Sequence, residues 1–193
     1  MKLTNTPPAR AVYVLDSDVT QNSITNTVLT EQVASRFTIP ANTMSASSAL
    51  RLTYFGHVLN NSGSPKDMRI RVVIGTVGGA GLSTTAGSVT PLDTTHAAIP
   101  TNANERAIEG HCFIASANSN TLNSALGSDR MGSPDTINGV ATDTAVGEDK
   151  MCQYFSFTYD HAVAKDLTLT VQYTSTVATA RYTAHIAILE LIV

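Results

Sequence analysis

LRLTYFGHVLNNSGSPKDMRIRVVIGT, residues 50–76, is the stretch on which the fold turns. In its first half Leu50, Leu52, Tyr54 and Val58 fall on one side of an extended chain. In its second half Met68, Ile70, Val72 and Ile74 alternate with Arg69, Arg71 and Val73. Successive side chains of a strand point to opposite faces, so this period of two predicts two strands, each with an apolar side for a core. Between them Asn60 to Asp67 is rich in Asn, Ser, Gly and Pro. Those residues accept turn dihedrals, and the segment closes either a hairpin or a short arch.

The same pattern recurs outward from there. In Asp166 to Thr174, Leu167, Leu169, Val171 and Tyr173 face one way and Thr168, Thr170, Gln172 and Thr174 the other. Further strands are expected over Val33–Ile39, Arg106–Ala115, Met151–Tyr159 and Tyr182–Val193. Val28–Arg36 also fits an amphipathic helix, but its Thr and Val content and the following Ile39-Pro40-Ala41-Asn42 turn favour a strand. Two segments, 76–104 and 116–150, are dominated by small and polar residues. They are expected as long loops or as carriers of extra short strands, and any recognition is expected there. The chain is therefore read as all-β, an antiparallel β-sandwich with two long loops, with residues 1–27 as an N-terminal arm and 28–193 as one sandwich domain. A jelly roll and an immunoglobulin-like sandwich are both admissible, although the tryptophan that an immunoglobulin core usually carries is missing.

Composition narrows the function. The 193 residues are 42% hydrophobic but only 14% charged, with a net charge of −3. The charged share is well below the roughly 25% of an average soluble domain, leaving a surface polar in Thr, Ser and Asn rather than ionic. Lys and Arg do not cluster, so the footprint of a phosphate-backbone binder is missing and nucleic acid is not an expected partner. The apolar stretch Ile186–Val193 is interrupted by Glu190 and falls short of the roughly 20 residues that span a bilayer, so no membrane is expected either. No export signal is evident near the N-terminus, so Cys112 and Cys152 are expected as buried thiols. Asn60-Asn61-Ser62 is read as a turn rather than a glycosylation acceptor.

Catalytic signatures are hard to find. Nucleophile-elbow, zinc-protease, Walker and dinucleotide motifs do not occur, and His57, His96, His111, His161 and His185 show no close ligand pair. His111 adjoins Cys112, but neighbours on a strand point to opposite faces and cannot pair. Loop acids such as Asp129, Asp135 and Asp143 lack the spacing of a calcium loop. Neither a cofactor nor a metal is expected, and the chain reads as a non-enzyme.

Two features remain as candidates for contact. Arg51, Arg69 and Arg71 are the nearest approach to a basic patch. In the closing segment Tyr182, Ala184, Ile186 and Ile188 form one face and Ala187, Leu189, Leu191 and Val193 the other, both apolar. Either this strand is central in the sandwich or its second face meets another subunit, which makes Ile186, Ile188, Leu189, Leu191 and Val193 candidate interface residues.

Thr38-Ile-Pro-Ala-Asn-Thr-Met44, Ser48-Ala-Leu-Arg-Leu52, Gly56-His-Val-Leu-Asn-Asn-Ser-Gly63 and Met68-Arg-Ile-Arg-Val-Val-Ile-Gly75 together resemble turn and strand patterns of tailed-bacteriophage virion proteins. These are the jelly-roll decoration, or cement, proteins that coat capsids, and related sandwiches of tail and head fibres. The resemblance covers about half of the chain and leaves both long segments unmatched. It implies a non-enzymatic jelly roll, a homotrimer bound to the major capsid protein on the outside of a phage head and assembled in the host cytoplasm. Arg51, Arg69 and Arg71 then become candidate capsid contacts. The alternative it implies is a receptor-binding component of a tail or head fibre.

Overall fold

The computed structural model describes residues 11–25, 29–99, 101–117, 119, 121–134, 149–175 and 179–193. The strands are β1 (Val12–Asp18), β2 (Asn22–Thr25), β3 (Gln32–Ile39), β4 (Ala49–Asn60), β5 (Lys66–Thr76), β6 (Val89–Ile99), β7 (Asn102–Ser116), β8 (Leu122–Pro134), β9 (Asp149–Thr158), β10 (Lys165–Tyr173) and β11 (Ala180–Ile192). They form two antiparallel sheets: a seven-stranded one ordered β1-β11-β4-β7-β8-β9, with β2 also on β11, and a four-stranded one ordered β3-β10-β5-β6. No helix long and apolar enough to cross a membrane occurs among the described residues.

The pairing is nested. β1 pairs with β11, β3 with β10, β4 with β7, and β5 with β6, all antiparallel. The chain therefore runs out and back as one long ribbon, which is wound so that β11 meets β4 and β10 meets β5. That winding is a jelly roll, one of the ways in which antiparallel chains arrange two packed sheets. The β8–β9 hairpin is an addition to the ribbon, extending the large sheet beyond β7.

The opening stretch becomes β4 and β5, which lie in different sheets, so the turn between them is an arch and not a hairpin. Asn60 organises the arch. Its amide donates to the carbonyls of Ser64 (3.0 Å) and Ile99 (2.7 Å), and its Oδ1 accepts from the hydroxyl of Ser62 (2.6 Å). Gly63 supplies a positive φ of 76°, open to glycine without strain. With Asn60 buried and both ends of its amide engaged, the sequon is a structural turn.

Alternation does in the fold what it promised in the sequence. Leu50, Leu52, Tyr54 and Val58 of the large sheet meet Met68, Ile70, Val72, Leu167, Leu169 and Val171 of the small one in a single core. At roughly 25 cal/mol per Å2 of apolar surface removed from water, such a core drives folding without metal or disulfide. Cys112 is a free thiol in it, and burial pushes its pKa up to about 12, which keeps it protonated and unreactive. One polar knot ties the sheets together. Thr94 of β6 (2.5 Å) and Tyr54 of β4 (3.2 Å) donate to Asp129 Oδ2 of β8, with His96 Nε2 at 3.4 Å.

Three expectations change here. The segments expected as long loops or as carriers of short strands contain β6 (11 residues) and the whole of β8 (13 residues), which become strands by pairing, β6 on β5 and β8 between β7 and β9. The described part of the N-terminal arm lies along the large sheet as β1 and β2. The closing strand does not keep one alternation throughout. A bulge between Ala184 and Ile186 inserts His185 against β4 and reverses the faces beyond it. Leu189 and Leu191 thus join Tyr182 and Ala184 on the core side, and neither is an exposed interface residue.

Candidate functional site

The outer faces of the two sheets differ, and the difference marks the site. On the small sheet the outward residues of β5 and β10 are covered. Glu31 accepts from the Thr170 hydroxyl and from Ser83 (N 3.0 Å, Oγ 2.5 Å), and lies 3.7 Å from Arg71. Asp166 accepts from the Thr38 hydroxyl (2.8 Å), the Gly78 amide (2.9 Å) and Arg36 (3.2 Å), while Arg36 also donates to the Gly79 and Ala80 carbonyls. The segment after β5 is strapped across this face by those bonds.

Arg71 is accordingly buried, 5% exposed, between Glu31, Asp93 and Gln172, and is not available as a capsid contact. Its neighbour Arg69 grips Asp93 (Nη2 2.8 Å) at the rim of the same face. Arg51 sits on the opposite side of the sandwich, on the outer face of the large sheet. The three arginines do not form one patch, because β4 and β5 belong to different sheets.

The outer face of the large sheet is open. Strand register aligns Val14, Glu190, Arg51, Phe113, Leu126 and Tyr154 across it in one row. A second row runs Ile186, Phe55, Glu109 and Arg130. Val14, Phe55, Leu122, Leu126, Tyr154 and Ile186 are all substantially exposed, and Ile188 and Ile192 partly so. Of the five residues expected at an interface, Ile186 and Ile188 lie on this face. Val193 follows the strand end, its backbone paired with Ala11 in both directions.

Among the described side chains the charges on this face are paired within it: Arg51 with Glu190 (2.5 Å), Arg130 with Glu109 (2.5 Å) and Arg181 with Glu105 (2.8 Å). Arg51 also lies over the Phe113 ring, 5.8 Å from its centre. The bond to Glu190 raises the pKa of Arg51 further, and the bond to Arg181 lowers that of Glu105. Beside the Arg181–Glu105 pair, His57 Nδ1 stands 2.6 Å from His185 Nε2 and His57 Nε2 stands 3.1 Å from Glu105. Two imidazole nitrogens at that distance share one proton, and burial holds His57 below the ordinary histidine pKa despite Glu105. The bulge that admits His185 brings this pair together. A shallow depression of about 300 Å3, lined by Phe55, Glu109, Arg130 and His185 among others, lies next to it.

This arrangement suits a flat contact better than a reaction. An apolar face whose charges already have partners can be buried without stranding an ion. The His96–Asp129 pair, the nearest thing to an acid–base couple, has both side chains fully buried in the core and reaches no cleft. Phe55, Phe113, Leu126 and Tyr154 escape sequence reasoning because each sits on the face opposite a conventional core row. The available signal was that apolar residues occupied both faces of those strands.

No family model matches the chain, and no curated protein matches it. Among solved structures it is similar to peanut lectin with a nine-residue peptide, at 11% identity and a TM-score of 0.42 over 98% of this chain and 94% of the lectin. It is similar also to lectin I of Ulex europaeus in complex with a fucose glycoside, at 7% identity and a TM-score of 0.43 over 94% and 91%. A third likeness is to a structure of infectious bursal disease virus, Gx strain, at 12% identity and a TM-score of 0.31, over 96% of this chain and 42% of the viral one.

Proposed function

We propose that this protein is a non-enzymatic structural component of a phage virion, a decoration protein that binds the major capsid protein on the outer head surface and stabilises it. The observation that carries the reading is the open, charge-paired apolar face of the seven-stranded sheet. Neighbouring strands stand about 4.8 Å apart and rise about 3.3 Å per residue, so a face of this kind offers roughly the 800 Å2 per partner of a specific interface. Arg51 lies within this face; Arg69 and Arg71 do not, and they have no part in the contact. The resemblance of the 38–75 segment to cement proteins supports the same reading. Attachment as a homotrimer would multiply weak contacts, since the first one made raises the effective concentration for the others.

The test is cosedimentation of the purified chain with heads from which it has been stripped, followed by heating of the loaded and bare heads. Binding in a fixed ratio, with loaded heads keeping their DNA at a higher temperature than bare ones, is the expected result. Heads that neither bind the chain nor gain stability would overturn the proposal. Sedimentation equilibrium of the free chain tests the trimer separately.

A further inference from the structure

His57 and His185 are 128 positions apart in sequence, and they meet because the β11 bulge inserts an extra residue opposite β4. Bulges re-aim side chains in this way, and they recur next to functional sites. His57 Nδ1 and His185 Nε2 stand 2.6 Å apart, with the ring centres separated by 4.7 Å and the planes inclined at 46°. Both rings are half-buried, and His185 lines the shallow depression it shares with Phe55, Glu109 and Arg130, so small ions reach the pair from solvent.

Glu105 decides which nitrogen of His57 faces its partner. The bond from Arg181 (2.8 Å) lowers the pKa of this carboxylate and keeps it ionised. An ionised carboxylate only accepts hydrogen bonds, so at 3.1 Å it takes the Nε2–H of His57 and leaves the Nδ1 lone pair aimed at His185. Metal-binding imidazoles are oriented by carboxylates in the same manner. Burial favours the neutral form of His57, which is the form a metal requires. The charge of Glu105 also offsets that of Arg181, whose field opposes positive charge at His57.

The geometry points to a divalent transition-metal site in which His57 Nδ1 and His185 Nε2 are neighbouring ligands of Cu2+ or Ni2+. With metal–nitrogen bonds of about 2.0 Å, two ligands at a right angle stand about 2.8 Å apart, and two at a tetrahedral angle about 3.3 Å. The pair is close to the first spacing, which belongs to tetragonal ions, and would have to open further for Zn2+. Two imidazoles do not suit Mg2+ or Ca2+, which seek oxygen. Among the described residues no group of three or more His, Cys, Asp or Glu side chains is placed to hold a metal, so the pair is a two-point clip between β4 and β11 with water in the remaining positions. Without an ion, His185 donates its Nε2–H to His57 Nδ1. When an ion binds, that hydrogen leaves Nε2 and the neutral ring carries one on its own Nδ1 instead. The pair lies on the face proposed for head contact, but metal binding by the free chain does not depend on that reading.

Calorimetric titration of the full chain, free of any polyhistidine tag, with CuCl2, NiCl2 and ZnCl2 tests it, together with electron paramagnetic resonance of the Cu2+ complex. The expected result is one Cu2+ per chain coupled to two imidazole nitrogens, with Ni2+ and Zn2+ bound more weakly. His57→Gln and His185→Gln should each weaken Cu2+ binding at least about tenfold, because a single ligand loses the effective concentration of its neighbour. Glu105→Ala removes a positioning residue and no ligand, and should weaken binding about tenfold. Glu105→Gln, whose amide oxygen still accepts from His57, should recover part of that loss. His111→Gln, elsewhere on the same face, should change nothing. The resonance spectrum counts nitrogens in the unmodified chain, so it decides the matter even where a variant folds poorly. The assignment is overturned if the unmodified chain binds no Cu2+, if its Cu2+ is coupled to one nitrogen or none, or if binding survives unchanged in folded His57→Gln and His185→Gln. It is overturned as well if His111→Gln abolishes binding, and Zn2+ bound more tightly than Cu2+ would overturn the right-angle geometry.

Discussion

The outer faces of the two sheets begin from similar sequence and end differently. β4 carries Arg51 and β5 carries Arg69 and Arg71, each alternating with apolar residues. On the small sheet the outward row is closed over by Glu31, Asp166 and the segment 77–83, and Arg71 is sealed beneath. On the large sheet no described residue covers the outward row, and Arg51 remains about one-third exposed beside Glu190. A covered polar face belongs to the stability of the fold, whereas an open apolar one belongs to contact with something else. The comparison can be broken or sharpened in four ways.

The largest effect is expected from Glu31→Ala. It removes the acceptor of Thr170 and Ser83 and a carboxylate beside the buried Arg71, so the stability lost should be about 3 kcal/mol, read by chemical denaturation. A loss under about 1 kcal/mol would mean that the strap is not structural. Next is Leu126→Glu on the open face. It should change stability by less than about 1 kcal/mol. Affinity for heads in the cosedimentation assay should nevertheless fall at least about tenfold, the scale of an unpaired charge placed in an interface. Normal head binding by this variant would remove the face from the proposed contact.

A smaller effect comes from pH. Burial depresses the pKa of His57 in the folded protein, so on passing downward through the ordinary histidine range the unfolded chain takes up a proton that the folded one resists. Acid therefore favours unfolding in that window, and stability is regained as pH rises through it. His161, also lowered by burial, contributes in the same direction. The melting temperature should fall by about 2 °C or less between pH 7.5 and 5.5 on account of His57, and His57→Gln should flatten that part of the slope. An unchanged slope would assign the acid sensitivity elsewhere. The smallest effect is expected from Arg51→Ala, about 0.5 kcal/mol in a thermal melt, because the pair it breaks is solvent-screened. A cost approaching that of Glu31→Ala would erase the distinction between the faces.

Much of the strand inventory is legible in the chain, since Leu50–Val58, Met68–Ile74 and Leu167–Tyr173 each declare an inward row. The site is less so. Phe113 and Leu126 become neighbours only through the β7–β8 register, and Tyr154 joins their row only because β9 pairs with β8. Sequence distance conceals such rows, which are assembled from strands far apart along the chain.

By itself the sequence determined that this protein is built of strands, where most of them lie and which residues seek the core, because alternation is a property of the extended backbone and needs no partner. Only the tertiary structure decided which faces stay open. The one-residue bulge at His185 turned Leu189 and Leu191 inward and Ile186 and Ile188 outward, and a shift of one residue exchanges the faces of every residue beyond it. The fate of Arg51 and Arg71 was decided the same way, by what the folded chain brings to each face, since burial depends on neighbours that are distant in sequence.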